Sequence, residues 1–284
     1  MHSHNYTLES FDALWRGGRI VKEANAPEMW DALAEDWIAE FGSDGSGKPD
    51  MHKRVSHTAE YLRAHGLLAA NDVVADIGCG PGLFVAEFAK TAKLAVGFDY
   101  SKRFLEYGQG CAAARGARNI EFRFCDFMNL DVEQQGLEAA FDLVFTSITP
   151  VVNSLASLRK LIKMSRAWCY NASFVHTGDS LAEEISRDVF GETYKPRRDG
   201  KVFYSLLNLV WLLGYYPETA YYDDIRDEKI TPTPENAAKF ADECKHGGSK
   251  NAEKVLRWLE RKGEIIRHSE YKYGSVLWDI RAVH

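Results

Sequence analysis

The stretch Val74-Ala75-Asp76-Ile77-Gly78-Cys79-Gly80-Pro81-Gly82 ends an apolar run in an acid and follows it with three glycines at alternating positions. Leu83 to Lys90 then reads as a helix with one apolar face. A strand, a tight turn and a helix start leave backbone amides exposed, and a nucleotide-like ligand can lie on them. Glycine suits this turn because the chain bends sharply and a side chain would block the ligand. Pro81 suits the first helical turn, where its missing N–H costs nothing.

Two further acids close apolar runs. Lys93 to Asp99 reads as a second strand. A carboxylate at its tip has two oxygens and no competing donor, so it can accept both hydroxyl hydrogens of a ribose. Asn119 to Asp126 alternates as a third strand, again ending in an acid. Phe141 to Ser147 is a fourth, after which the chain opens into Ile148-Thr149-Pro150. Four strand tips on one rim, with acids on the first three, form a joint pattern that no single strand-end Asp would make, since such an Asp is usually a helix cap.

A dinucleotide fingerprint has the form G-x-G-x-x-G, whose third glycine lets helix and strand pack closely. Leu83 stands in that place. The D-x-G-x-G-x-G of residues 76–82 instead resembles the first motif of the class I S-adenosylmethionine-dependent methyltransferases. The resemblance covers about residues 52–225 plus the final strand. It implies an α/β, Rossmann-like seven-stranded sheet, S-adenosylmethionine as cofactor, and methyl transfer as the activity. It also implies roles for particular residues. Asp76 meets the methionine end, and Gly78, Gly80 and Gly82 form the backbone cradle. Asp99, with the adjoining Tyr100, meets the ribose. Asp126 meets the adenine amino group, and Phe127 covers the ring. Thr146 and Ser147 lie where substrate and methyl group meet.

Displacement from a sulfonium starts from an activated donor, so alignment is the protein's main task. A general base is required only for an acceptor that holds a proton at working pH. No residue is therefore assigned as catalytic, with His57 and His176 noted as possible bases. The family subset that methylates exocyclic amines of bases carries an Asp/Asn-Pro-Pro-aromatic motif after strand four. Ser147-Ile148-Thr149-Pro150 departs from it. Metal-dependent relatives carry carboxylates near strand ends, where this chain has Thr146 and Ser147, so no metal is expected. Trp15, Trp30 and Trp37 could contact a sulfonium by cation–π attraction of about 0.5–2 kcal/mol. The plainer reading, that Trp30 and Trp37 attach their helix to the sheet, is preferred. The pairs Tyr215-Tyr216 and Tyr221-Tyr222 read as sheet and packing surface.

The elements that must hold these residues divide into accessory and sheet segments. Residues 1–50 read as an N-terminal helical cap, with Trp30, Leu33, Ala34, Trp37 and Phe41 on one stripe and Gly42 to Gly47 as a loop. Residues 51–284 form the methyltransferase domain, opening with a helix from about His52 to His65. Strand and helix alternate from Val73 onward, which implies a parallel sheet covered on both faces. Ser101 is read as a helix cap, and Asn153 or Ser154 as another. Trp168–His176, Thr219–Ile225 and Tyr273–Val283 are read as strands five to seven, and Leu181–Phe190 and Lys201–Gly214 as helices. A helical insertion of about 226–270, opened by Thr233, separates the last two strands, where the family has a short hairpin.

Composition narrows the partners. The net charge is −6 and no dense basic run occurs, which works against nucleic-acid attraction. Lys53-Arg54 and Arg197-Arg198 read as solvated pairs. Five cysteines without a C-x-x-C pair give neither a disulfide framework nor a zinc knuckle. No segment has the length and apolarity of a membrane span or a secretion signal. The chain is expected to be cytoplasmic, with a homodimer as a possible assembly. The expected acceptor is a small, largely apolar or aromatic molecule beneath the N-terminal helices and the insertion. The rival readings are a nucleic-acid or protein methyltransferase, a non-catalytic adenosylmethionine binder, and a dehydrogenase, the last disfavoured by Leu83.

Overall fold

Val73–Ile77 is a short β-branched run whose residues are buried on both faces, the composition of a central parallel strand. In the computed structural model it is β1. The structure describes residues 6–17, 27–41, 49–196 and 198–283. The expected Gly42–Gly47 loop and Arg197 lie outside the described residues.

Seven strands form one mixed sheet in the order β3-β2-β1-β4-β5-β7-β6. The strands are β1, β2 (Leu94–Asp99), β3 (Ile120–Phe124), β4 (Phe141–Ser147), β5 (Ser165–Asp179), β6 (Glu218–Ile230) and β7 (Ile265–Asp279). β1 pairs in parallel with β2, Asp76 opposite Gly97, and with β4, Asp76 opposite Phe145. β2–β3 and β4–β5 are also parallel. The α/β sheet with its N-terminal helices and an insertion between the last two strands is as expected. Four strands differ in extent, β5 being three residues longer at each end than Trp168–His176. β3 stops at Phe124, and β6 and β7 run to Ile230 and start at Ile265.

The chain divides into two units. The first comprises residues up to 173, 201–220 and those from 274 onward. It contains α1 (Leu8–Gly17), α2 (Pro27–Phe41), α3 (Pro49–Ala64), α4 (Leu83–Phe88), α5 (Lys102–Ala114), α6 (Leu155–Met164) and α8 (Lys201–Leu212). α1 buries Phe11 and Trp15 and packs on α8, with the Phe11 and Tyr204 rings 5.7 Å apart. α2 packs on α5, and α3 on α4. Ser101 caps α5 and Ser154 caps α6, each accepting the backbone N–H of the third helical residue, Phe104 and Ser157. Leu62, Phe88, Leu143, Phe145, Tyr170 and Leu277 anchor this unit's core, with Phe145 stacked on Tyr170 at 4.8 Å.

The second unit comprises 174–200 and 221–273. It contains α7 (Ser180–Ile185), which runs on into a π-helical turn over Ser186–Phe190, then α9 (Pro234–Glu243) and α10 (Ser249–Lys262). Thr233 caps α9 as expected. Its core gathers Leu181, Ile185, Phe240, Val255 and Leu259. Arg267 is 8% exposed and ion-paired with Asp179 and Glu243. Among the described residues no helix is long and apolar enough to cross a membrane.

One side chain organises the first unit's cofactor-side packing. The Phe122 ring on β3 occupies the space where a Cβ would stand on Gly82, Gly97 and Gly108. Glycine at Gly82 therefore serves close approach of helix and strand as well as the turn. We predict that Gly97→Ala costs about 1–3 kcal/mol by overpacking, because its Cβ would lie 2.8 Å from Cys79 Sγ and 3.0 Å from Phe122. Urea unfolding of Gly97→Ala, alone and with Phe122→Leu, tests this. The double variant is expected to recover part of the loss.

Candidate functional site

The turn after β1 opens a cavity in the first unit, lined by Asp76, Gly78, Gly80, Asp99, Tyr100 and Phe127 among others. Six of the nine residues expected at the cofactor thus share one cavity. Gly80 has a positive φ of 53° and open space where a side chain would stand. Gly78, at φ 72°, is closely approached by the Thr149 side chain, so the loop after β4 rests on the glycine turn. Either position would strain any L side chain.

Asp76 is 3% exposed, and among the described residues its carboxylate makes no protein hydrogen bond. Burial pushes its pKa well above the carboxylate range, Asp99 pushes it the same way, and Arg54 opposes both. A buried carboxylate facing a cavity without a donor is a site for a cationic group. Asp99 is held differently. Its Oδ2 accepts the Gly80 N–H at 2.8 Å and its Oδ1 accepts the Ser101 N–H at 2.9 Å. Each oxygen keeps lone-pair capacity for a hydroxyl. Burial raises the Asp99 pKa, and backbone donors at Ser101, Gly80 and Tyr100 hold the rise back.

The structure separates three expected residues from the cavity. Asp126 lies beyond the end of β3 and is exposed. Its oxygens accept from the Met128 N–H and the Asn129 side chain, so it closes its own turn while the neighbours Cys125 and Phe127 line the cavity. Thr146 is fully buried. Its hydroxyl donates to the Tyr170 carbonyl at 3.3 Å and accepts from Asn171 at 2.6 Å, and Ser147 lines the cavity in its place. Gly82 packs on Phe122. Neither His57 nor His176 lines the cavity. The cavity thiols stay protonated at neutral pH. Burial raises Cys79 well above the thiol range and Cys125 to about 11.

Other lining residues depart from the plainer reading of the sequence. Arg54 is a cavity residue, where a solvated pair with Lys53 was expected. Its guanidinium donates to Ser147 Oγ at 2.7 Å and lies over the Phe84 ring at 5.2 Å. Trp30 and Trp37 line the cavity too, and Trp37 sits edge-on to Phe104 at 6.0 Å. Trp15 is core. A signal for Arg54 lies in the helical spacing of Arg54, Thr58 and Tyr61, a polar edge beside the buried Val55, Ala59 and Leu62 stripe. Asp31 has no such signal. It accepts from Ser101 Oγ at 2.6 Å and adds a further negative charge near Asp99. Ile148 takes a left-handed φ of 54°, a strained backbone for a β-branched residue. Its N–H donates to the Ala172 carbonyl at 2.9 Å, which anchors the rim loop.

The cavity can therefore hold a cation at Asp76, vicinal hydroxyls at Asp99, a flat ring beside Phe127 and a carboxylate at Arg54. The pH dependence follows from Asp76. Between the ordinary value of 3.8 and the raised native value, the unfolded chain has released a proton that the native chain keeps. Stability conferred by this group is complete at low pH and falls as pH rises through that window. Asp76→Asn is expected to gain stability over the ligand-free parent as pH rises from about 4.5, the gap levelling off above the native value. Urea midpoints across pH check this. A gap that instead closes with rising pH would contradict it.

Residues 68–185 match the family model described as a methyltransferase domain. EEF1A lysine methyltransferase 2 of Danio rerio is 29% identical over 157 residues, 54% of this chain and 65% of that protein. Phosphoethanolamine N-methyltransferase 1 of Caenorhabditis elegans is 28% identical over 173 residues, 57% of this chain and 32% of that protein. The solved magnesium protoporphyrin IX methyltransferase of Synechocystis with bound SAH has a similar fold, with a TM-score of 0.52 at 13% identity, covering 88% of this chain and 97% of that one.

Proposed function

We propose, on the premise that this chain carries a class I S-adenosylmethionine-dependent methyltransferase domain, that it moves a methyl group from S-adenosylmethionine to a small-molecule acceptor. The observation that carries the cofactor reading is the unpartnered Asp76 carboxylate sharing one cavity with Asp99 and Arg54. A free amino acid end carries one ammonium and one carboxylate, and Asp76 and Arg54 offer one group of each complementary sign. Asp99 and the Gly80 amide form the ribose side, and Phe127 gives an apolar surface to the adenine.

S-adenosylmethionine, when bound, supplies an already activated methyl group. What this chain's residues contribute is alignment and exclusion of water. The loop Ser147–Val151 borders the same cavity and is set by the Ile148 anchor and the Arg54–Ser147 hydrogen bond. Trp30, Trp37 and Phe104 add apolar wall, which suits an enclosed small molecule. Helix α2, through Trp30 and Trp37, thereby acts as a cap over the cofactor side in this reading.

Two experiments test it. Calorimetry with S-adenosylhomocysteine is expected to show Asp99→Ala weakened roughly 10- to 100-fold, the worth of a charge-assisted hydrogen bond of about 1.5–3 kcal/mol. Arg54→Ala is expected to weaken the same ligand, and to leave the analogue lacking the carboxylate unchanged. Equal affinity in the Asp99 variant removes the ribose assignment.

For the acceptor, purified protein and S-adenosylmethionine are incubated with the low-mass and protein fractions of a cell extract. Adenosylhomocysteine is expected to form with the low-mass fraction. A second reading, methylation of a protein side chain, is favoured by the similarity to the Danio rerio lysine methyltransferase. Turnover with the protein fraction alone would establish it over the first.

A further inference from the structure

Helix α10 carries Lys250, Lys254, Arg257 and Arg261 at spacings of four, three and four residues, which puts all four on one face. All four are exposed. The opposite face gives Val255 and Leu259 to the second unit's core, and Trp258, four residues after Lys254, belongs to that core and also borders the stripe. No carboxylate pairs with any of the four among the described residues. Arg257 and Arg261 donate through Nε to the backbone carbonyls of Glu253 and Arg257, at 3.3 and 3.0 Å. Three other cations of the same unit are neutralised: Lys262 pairs with Glu184, Lys229 with Glu264 and Arg226 with Asp224.

The stripe runs about 16 Å along the helix axis. A recess opens beside it, where Lys254, Arg257 and Arg261 surround Val189 and Trp258. Asp188 and Glu260 also border the recess, and Asp188 is already paired with Arg187. Positive charge is therefore in excess around an apolar floor.

We propose that this face of α10 docks an acidic peptide segment of a partner protein, with one apolar side chain seated on Val189 and Trp258. The layout favours a peptide over a nucleic acid. A phosphate backbone presents closely and regularly spaced charge and rewards many neutralising cations. Here Glu253 and Glu260 interrupt the helix surface, and the chain's net charge of −6 opposes an extended polyanion. A peptide needs only a short run of carboxylates for the stripe and one anchor for the floor, the arrangement in which a few residues dominate binding. The proposal is independent of the methyl acceptor.

Fluorescence anisotropy on the full chain tests it with three labelled probes. These are a Glu-rich peptide of about twelve residues with one central Leu, the same peptide with Leu→Ala, and an oligothymidylate of similar length. The Leu peptide is expected to bind, with the Ala version at least about fivefold weaker. Its affinity is expected to fall by roughly tenfold between about 50 and 200 mM salt. Lys254→Glu with Arg257→Glu is expected to abolish binding while S-adenosylhomocysteine affinity and the melting curve stay unchanged. Should charge reversal unfold the unit, Lys250→Gln and Lys254→Gln are expected to weaken binding stepwise. Absence of peptide binding, binding indifferent to these substitutions, or oligothymidylate binding as tight as the Leu peptide would each overturn the proposal.

Discussion

A buried carboxylate, Asp76, and a half-buried one, Asp99, stand toward the ends of adjacent parallel strands, and the cavity is arranged around that constraint. Asp76 is the penultimate residue of β1 and Asp99 closes β2. Burial raises the pKa of both, and Asp99 adds like-charge repulsion at Asp76. An arrangement of this kind is unfavourable in an empty protein unless donors are supplied. The chain supplies them unequally. Asp99 receives backbone N–H groups from Gly80 and Ser101, while Asp76 has only the long-range help of Arg54. The deficit at Asp76 leaves room for a positive charge, and the spare lone pairs of Asp99 can accept from hydroxyls.

The glycines serve two separate physical needs. Gly78 and Gly80 adopt left-handed backbone that lets the turn fold under the cavity. At Gly82, itself left-handed, and at Gly108 the Phe122 ring fills the side-chain space, and at Gly97 it does so together with Cys79 and Val85. One aromatic ring thereby joins the start of α4, the middle of β2 and the body of α5. The cavity wall opposite is built by helices from the N-terminal region, whose Trp30, Trp37 and Arg54 reach it across long sequence separations.

The second unit follows the same logic on a different scale. β5 and β7 reach 15 residues where β1 to β4 have 5 to 7, so their far ends need an additional cover. α7, α9 and α10 provide it within the unit and leave one strongly cationic helix face outward.

Local sequence determined a large part of this molecule. The D-x-G-x-G-x-G turn, the strand runs closing in Asp76 and Asp99, and the caps at Ser101, Ser154 and Thr233 are each legible because their signals lie within a few residues. The insertion between the last two strands was legible for the same reason, from the Thr-Pro-Glu opening and the helical spacing after it. What only tertiary structure decided involves partners distant in sequence. That Asp126 accepts within its own turn and stays off the cavity lining depends on where β3 ends. That Thr146 is buried while Ser147 lines the cavity follows from alternation along β4. Arg54 and Asp31 acquired their roles only when α3 and α2 met the β1 and β2 tips, since a charge pattern on a helix does not state which surface that helix will cover.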